Sequence, residues 1–183
     1  MKKQSGHEGS SIIFIGDNTF LKVGLETLLE DKLHFQSHAK ENYAGLLLLA
    51  PQGCSIETRK YMLKIARELH FFPGRKAIML FDYRDKNSKR FCQLTGLPSV
   101  DLNMSADYIL QRIIYYRNKP QKIPFDCVRS LTEKQWDAVC NILSNRKVSY
   151  RVHEKKLYSH RMSALSRIRL RNAHQLRILV TGL

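Results

Sequence analysis

The chain has 183 residues, 43% of them hydrophobic, and carries 31 Lys plus Arg against 16 Asp plus Glu for a formal net charge of +15. That apolar content fills an ordinary core and excludes a disordered polycation, while the charge suits a polyanionic partner. No run approaches the roughly 18 apolar residues that would suggest a membrane span, and the apolar stretch from Ile12 to Ile15 is too short for a secretory core, so a cytoplasmic protein is expected.

Residues 1–10 read as a polar tail. Ser11 to Ile15 is a short apolar run ended by Gly16, Asp17 and Asn18, which suits a buried strand followed by a turn. Phe20, Val23, Leu25, Leu28 and Leu29 then recur at mostly helical spacing, with Asp17 or Asn18 placed to cap the start. The alternation repeats with a strand over residues 45–50, a helix from Ile56 to Leu69, a turn at Pro73 and Gly74, and a strand over 76–81. A last round gives a short strand over 99–102 and a helix over 105–116 bearing Leu110, Ile113 and Ile114. Short apolar strands alternating with helices imply crossover connections and a parallel sheet covered on both faces.

Cys54, Cys92, Cys127 and Cys140 are far apart and form no C-x-x-C pair, so neither a compact zinc site nor a redox pair is signalled. Reduced structural thiols are expected, and no metal or cofactor. The chain also has no nucleotide-binding Gly-rich loop, no H-E-x-x-H and no Gly-framed serine. Ser159 next to His160 is not a nucleophile with its base, because neighbours in a helix point apart. No enzymatic activity is expected.

Residues 117–124 contain Pro120 and Pro124 and little periodic apolar content, as an exposed linker would, and a boundary between two domains is placed over 117–130. From Arg117 onward there are 15 Lys and Arg against four acids, Asp126, Glu133, Asp137 and Glu154, so about +11 of the total charge lies there. Such asymmetry is what phosphate neutralisation asks of one module. Thr132 with Gln135 three residues on forms a capping box, and Trp136, Val139, Cys140 and Leu143 supply one apolar face of the helix it opens. A short scaffold helix is expected within 145–152, on Val148 and Val152. A longer one from Glu154 to Ile168 puts Leu157, Ala164, Leu165 and Ile168 on one face. Away from that face lie Lys155, Tyr158, Ser159, Met162 and Ser166, a polar, aromatic and basic set suited to the DNA major groove.

Two resemblances follow from these residues. Residues 11–116 resemble a response-regulator receiver domain, which implies a doubly wound parallel five-stranded sheet. The pattern departs at its phosphorylation chemistry: Asp17 is the one acid where the family has two, and Leu49, Ala50 and Pro51 stand where the phosphate-accepting aspartate belongs. Phe81 or Asp82 falls at the family's hydroxyl position and Leu102 near its lysine. Without a carboxylate nucleophile beside a magnesium site there is nothing to phosphorylate. The resemblance is therefore to a pseudo-receiver, with Asp17 as a helix cap.

Residues 131–183 resemble the small all-α helix-turn-helix DNA-binding domain of LuxR/NarL-type transcription factors. Lys155, Leu157, His160, Arg167, Ile168, Leu170, Asn172 and Leu176 fit its pattern in register. The stretch between Leu131 and His160 is about five residues shorter than the family's, which shortens the scaffold helix, and Lys156 replaces a usual threonine. Position by position, the resemblance assigns Tyr158, Ser159 and Met162 to base edges and Lys155, Lys156, His160 and Arg161 to the DNA backbone, with Arg167, Arg169 and Arg171 as further cations. No arginine sits at an obvious guanine-reading position, so modest intrinsic specificity is expected. The last helix, over 172–180, offers Leu176, Ile178, Leu179 and Val180 for dimerisation.

The combined expectation is a bacterial transcriptional regulator. It binds double-stranded promoter DNA without receiver phosphorylation, as a homodimer or with a partner regulator, similar to accessory fimbrial or capsule regulators. The alternative is an interaction protein that modulates another regulator with little sequence-specific DNA binding of its own.

Overall fold

The computed structural model describes residues 12–29, 45–72, 74–119, 128–144 and 151–181, the side chains at 70 and 151–154 excepted. The elements in order are β1 (Ile12–Ile15), α1 (Thr19–Leu29), β2 (Leu46–Leu49), α2 (Ile56–Glu68), β3 (Lys76–Phe81), α3 (Lys86–Thr95), β4 (Ser99–Asp101), α4 (Ala106–Asn118), α5 (Glu133–Leu143), α6 (Arg151–Arg167) and α7 (Ala173–Thr181). Short 3-10 turns cover Leu69–Phe71 and Val128–Ser130.

The four strands pair in parallel in the order β1-β2-β3-β4, with Ile12 opposite Leu46, Leu46 opposite Lys76, and Met79 opposite Ser99. Among the described residues this is a four-stranded sheet and corrects the expectation of five. Only four segments carry a strand signature of their own; the fifth is implied by the receiver resemblance alone, and residues 30–44 lie outside the described set.

Strand period two decides the layers. Ile12, Leu46, Leu48, Ile78, Leu80 and Val100 face one way, against Leu25 and Leu29 of α1 and Ile109, Leu110 and Ile113 of α4. Ile13, Leu47, Leu49, Ala77 and Met79 face the other way, against Met62 and Leu63 of α2 and Phe91 and Cys92 of α3. Because both faces are covered, β2 reads as an unbroken run of four leucines, all fully buried.

Helix α3 was not anticipated. It has both punctuation marks: Asp85 accepts from the Asn87 amide at its start, and Gly96 ends it in the left-handed region at φ 66°. Ser88, Phe91, Cys92, Leu94 and Thr95 then share the buried face. Six charged or amide residues over 84–90 masked that periodicity.

The second apolar layer does not stop at α2 and α3. The same cluster continues into Val128, Leu131, Val139, Ile142, Ala164, Leu165, Ile168, Leu176, Leu179 and Val180. The carboxy-terminal helices therefore pack directly on the sheet unit. The end of the expected exposed linker is part of that seam, since Val128 is buried against α2.

Helix α5 opens as its sequence demands. The Thr132 hydroxyl accepts from the Gln135 amide at 3.4 Å, and the Gln135 side chain accepts from the Thr132 amide at 3.0 Å. Its buried stripe is Gln135, Ala138, Val139 and Ile142, with Trp136, Cys140 and Leu143 only partly covered, so the inward face is turned from the expected one. Arg177 donates from Nε to the Ile142 carbonyl at 3.2 Å, placing a cation on the negative end of α5. Of the scaffold helix expected within 145–152, residues 145–150 lie outside the described set, while Arg151 and Val152 already belong to α6.

Candidate nucleic-acid interface

Ligand chemistry in open parallel sheets gathers at the carboxyl ends of the strands. Here β1 is followed by Gly16, Asp17 and Asn18, β2 by Ala50 and Pro51, and β3 by Asp82, while β4 ends on Asp101. The Asn18 side chain accepts from the Leu21 amide at 3.0 Å and caps α1. Asp17 instead serves α2: its carboxylate accepts from the Ser55 amide at 2.7 Å and from the Thr58 hydroxyl at 3.0 Å. The Cys54 thiol completes this corner, accepting from the Asp17 amide at 3.3 Å and donating to the Ala50 carbonyl at 2.9 Å. Burial pushes that thiol above its ordinary value, and the Asp17 charge adds to the rise.

The other two strand-end acids are held in turns. Asp82 accepts from the Arg84 amide at 2.8 Å and from the Asn103 side chain. Asp101 accepts from the amides of Tyr83 and Asn103 at 3.2 and 3.0 Å. Among the described residues no three His, Cys, Asp or Glu side chains gather as a metal site would require. Ala50 and Pro51 at the end of β2 are buried and have no nucleophilic group to offer.

Helix α6 is the contrasting surface. Ala164, Leu165 and Ile168 anchor it in the core, and Gln135 of α5 donates to the Ser163 hydroxyl at 2.8 Å. Arg167 closes its end by donating from Nη1 to the Ser130 carbonyl at 2.7 Å, so part of this exposed cation serves the fold. With that side fixed, Lys155, Lys156, Tyr158, Ser159 and Met162 are all exposed, Tyr158 at 64% and Met162 at 41%. Lys155, Ser159, Met162 and Ser166 fall at intervals of three or four along one stripe, flanked by Lys156 and Tyr158. No hydrogen bond or ion pair among the described residues engages these side chains. His160 and Arg161, expected on the same surface, are only half exposed, and the buried Arg161 Nε has no hydrogen-bond partner among the described residues.

The side chains expected to dimerise lie elsewhere. Leu176, Leu179 and Val180 are buried within the chain, and Ile178 is half-buried. Their face of α7 packs on α2, α3 and α5. Arg59 of α2, only 4% exposed, donates from Nε to the Pro51 carbonyl at 3.0 Å and from Nη1 to the Leu179 carbonyl at 3.3 Å, with its guanidinium 5.9 Å from the Phe91 ring centre. That puts a buried cation on the negative end of α7. Nearby, the Arg67 guanidinium stacks 5.5 Å from the Trp136 ring centre across the same seam. Sequence reading missed Arg59 because a lysine- and arginine-rich helix face ordinarily reads as solvated; its one signal was its place among Met62, Leu63 and Ala66.

The fold and the site together define a parallel α/β unit fused to a helical unit that presents one basic, aromatic helix face. No family model matches the sequence, and no curated protein does. Solved structures of the RcsB response regulator are similar in chain course. A two-component response regulator RcsB-DNA complex matches at 13% identity and a TM-score of 0.45, over 96% of this chain and 99% of that one. RcsB from Salmonella enterica serovar Typhimurium bound to promoter rprA matches at 14% identity and a TM-score of 0.42, over 91% and 97%. Among the described residues, no helix is long and apolar enough to cross a membrane.

Proposed function

We propose that this chain is a DNA-binding transcriptional regulator of the LuxR/NarL helix-turn-helix type, acting at promoters without phosphorylation of its receiver-like unit. The observation that carries the reading is the unoccupied stripe on α6. Lysines, a tyrosine, a serine and a methionine stand on one exposed helix face while the opposite face is buried. A helix of that shape fits the major groove, with Lys155 and Lys156 on phosphates and Tyr158, Ser159 and Met162 on base edges. His160 and Arg161, half covered, contribute less than the resemblance implies.

The rest of the proposal follows from what the other groups do. Asp17 is committed to Ser55 and Thr58, and Ala50 and Pro51 end β2, so control passes to abundance or to a protein partner. The protein works in the cytoplasm, has no enzymatic activity, and acts as a homodimer or with another response regulator. A partner reaches the buried residues of α7 only if that helix leaves α2 and α3.

Binding of the full chain to a native promoter pool and to random duplex, measured over a salt series, tests this reading. Preference for a subset of promoters is expected, with Tyr158→Ala combined with Ser159→Ala reducing it about tenfold or more. Equal affinity for all duplexes, unchanged in that variant, would sink it and favour a modulator that works through protein contacts.

A further inference from the structure

The seam between the two units contains an open cleft of about 860 Å³ between the end of α3 and the turn joining α6 to α7. Its volume lies within the roughly 300–1,000 Å³ of small-molecule sites, which favour boundaries between structural units. Three arginines line it, Arg90 from α3 and Arg169 and Arg171 from the turn, and among the described residues no carboxylate does. Among the described residues no acid forms a salt bridge with Arg90 or Arg171, both of which are exposed. The rest of the lining is mostly apolar, with Leu94, Ile168, Ile178 and Leu179 beside Gln93 and Gln175.

The turn that brings two of these arginines to the cleft is itself unusual. Helix α6 ends with the Ile168 amide on the Ala164 carbonyl at 3.1 Å and the Leu170 amide on the Leu165 carbonyl at 2.8 Å. This closing pattern needs one left-handed residue, ordinarily glycine. Arg169 takes that role at φ 58°, the one non-glycine residue with positive φ among those described. Arg171 is set by its own amide, which donates to the Gln175 side chain at 2.8 Å, while Gln175 in turn donates from its amide to Asn172. Its guanidinium takes no part in that bonding.

We infer that this cleft binds a small amphipathic anion, an organic phosphate or carboxylate with an apolar body. The head would lie among Arg90, Arg169 and Arg171, and the body on Leu94, Ile168 and Leu179. Guanidinium groups suit oxyanions through paired N–H donors, and the apolar wall gives a hydrocarbon or ring portion a reason to enter. Duplex DNA fits less well: its phosphates lie on a convex rod, whereas this site is concave with an apolar floor and lies past the carboxyl end of α6. An occupant would touch α3 and α7 at once and fasten the seam that buries Leu176 and Val180. The site stands on its own geometry, whether or not α6 reads DNA.

Calorimetric titration of the full chain with hexyl phosphate tests the inference, with inorganic phosphate and hexanol as the head-only and tail-only arms. Saturable binding of hexyl phosphate is expected, tighter than either arm. It should weaken about tenfold or more in Arg90→Ala/Arg171→Ala, given the worth of charge-assisted hydrogen bonds, and stay unchanged in Lys155→Ala/Lys156→Ala. Both arginines are exposed and the capping bond at 171 uses the backbone, so the variant keeps its fold, which an unchanged thermal midpoint verifies. Absence of saturable binding, equal binding by the arginine variant, or displacement of hexyl phosphate by random duplex DNA would each overturn the inference.

Discussion

The strand ends of the α/β unit and the outer face of α6 are both polar, yet their side chains are in opposite states. Asp17, Asp82 and Asp101 each accept hydrogen bonds from neighbouring turns or from the start of α2, so their lone pairs go to local architecture. Lys155, Lys156, Tyr158 and Ser159 hold out donors, acceptors and a ring with no partner among the described residues. A polar group bonded to its own backbone is explained by the fold, whereas a clustered set left open is available for another molecule. The contrast is what supports our proposal of a binding face on the helical unit, even though the α/β unit has the architecture in which ligand sites are more often sought.

The largest effect should come from breaking what joins the two regions. Leu176→Ala removes a fully buried side chain from the cluster shared by α2, α3, α5 and α7 and should cost about 2–5 kcal/mol. Denaturant unfolding followed by Trp136 fluorescence and by circular dichroism should still coincide, because both units rest on one core. Separation into two transitions would show that the units are independent and that the seam adds little.

A smaller effect sharpens the contrast itself. Asp17→Ala strips the carboxylate from Ser55 and Thr58 and should cost roughly 0.5–2 kcal/mol, the ordinary worth of a helix-start cap. Magnesium should leave the thermal midpoint of wild type and variant alike. Stabilisation of wild type alone would mean that Asp17 holds a cation in solution.

The four strands could be placed from sequence because each is a short apolar run between turn residues, and the α5 cap because Thr132 and Gln135 stand at fixed spacing. Helix α3 escaped since its apolar residues crowd into its second half behind Lys86, Lys89 and Arg90. The α6 stripe was legible in large part, as Ala164, Leu165 and Ile168 set one face and fixed the other. What could not be read was the seam. Leu176, Leu179 and Val180 form an apolar stripe, but periodicity says only that such a stripe is covered, not by what. Here this chain's own α2, α3 and α5 cover it, with Arg59 on the Leu179 carbonyl. His160 and Arg161 fell short of full exposure for a related reason: faces of α6 depend on how α5 leans on it.

The weakest expected effect is on acid stability. Burial alone would push Asp85 and Asp101 up, but hydrogen bonds outweigh it. Asp85 is held below the usual carboxylate range by the Ser88 hydroxyl and the Ser88 and Asn87 amides, and Asp101 by the Asn103 amide and side chain and the Tyr83 amide. A carboxyl depressed in the folded state binds its proton more readily when unfolded. Its contribution is therefore present above the unfolded value, near about 3.9, and is lost as pH falls through the folded one. Asp85→Asn should flatten the decline of the unfolding midpoint below about pH 4, and an unchanged acid limb would show that other carboxylates govern it.

The most direct measurement of the central claim is the salt dependence of duplex binding by the wild type and by Lys155→Ala/Lys156→Ala. If α6 lies in the groove with both lysines on phosphates, the slope of log affinity against log salt should become shallower by about 2, with the thermal midpoint unchanged. An identical slope in the two proteins would contradict the assignment of this face to DNA.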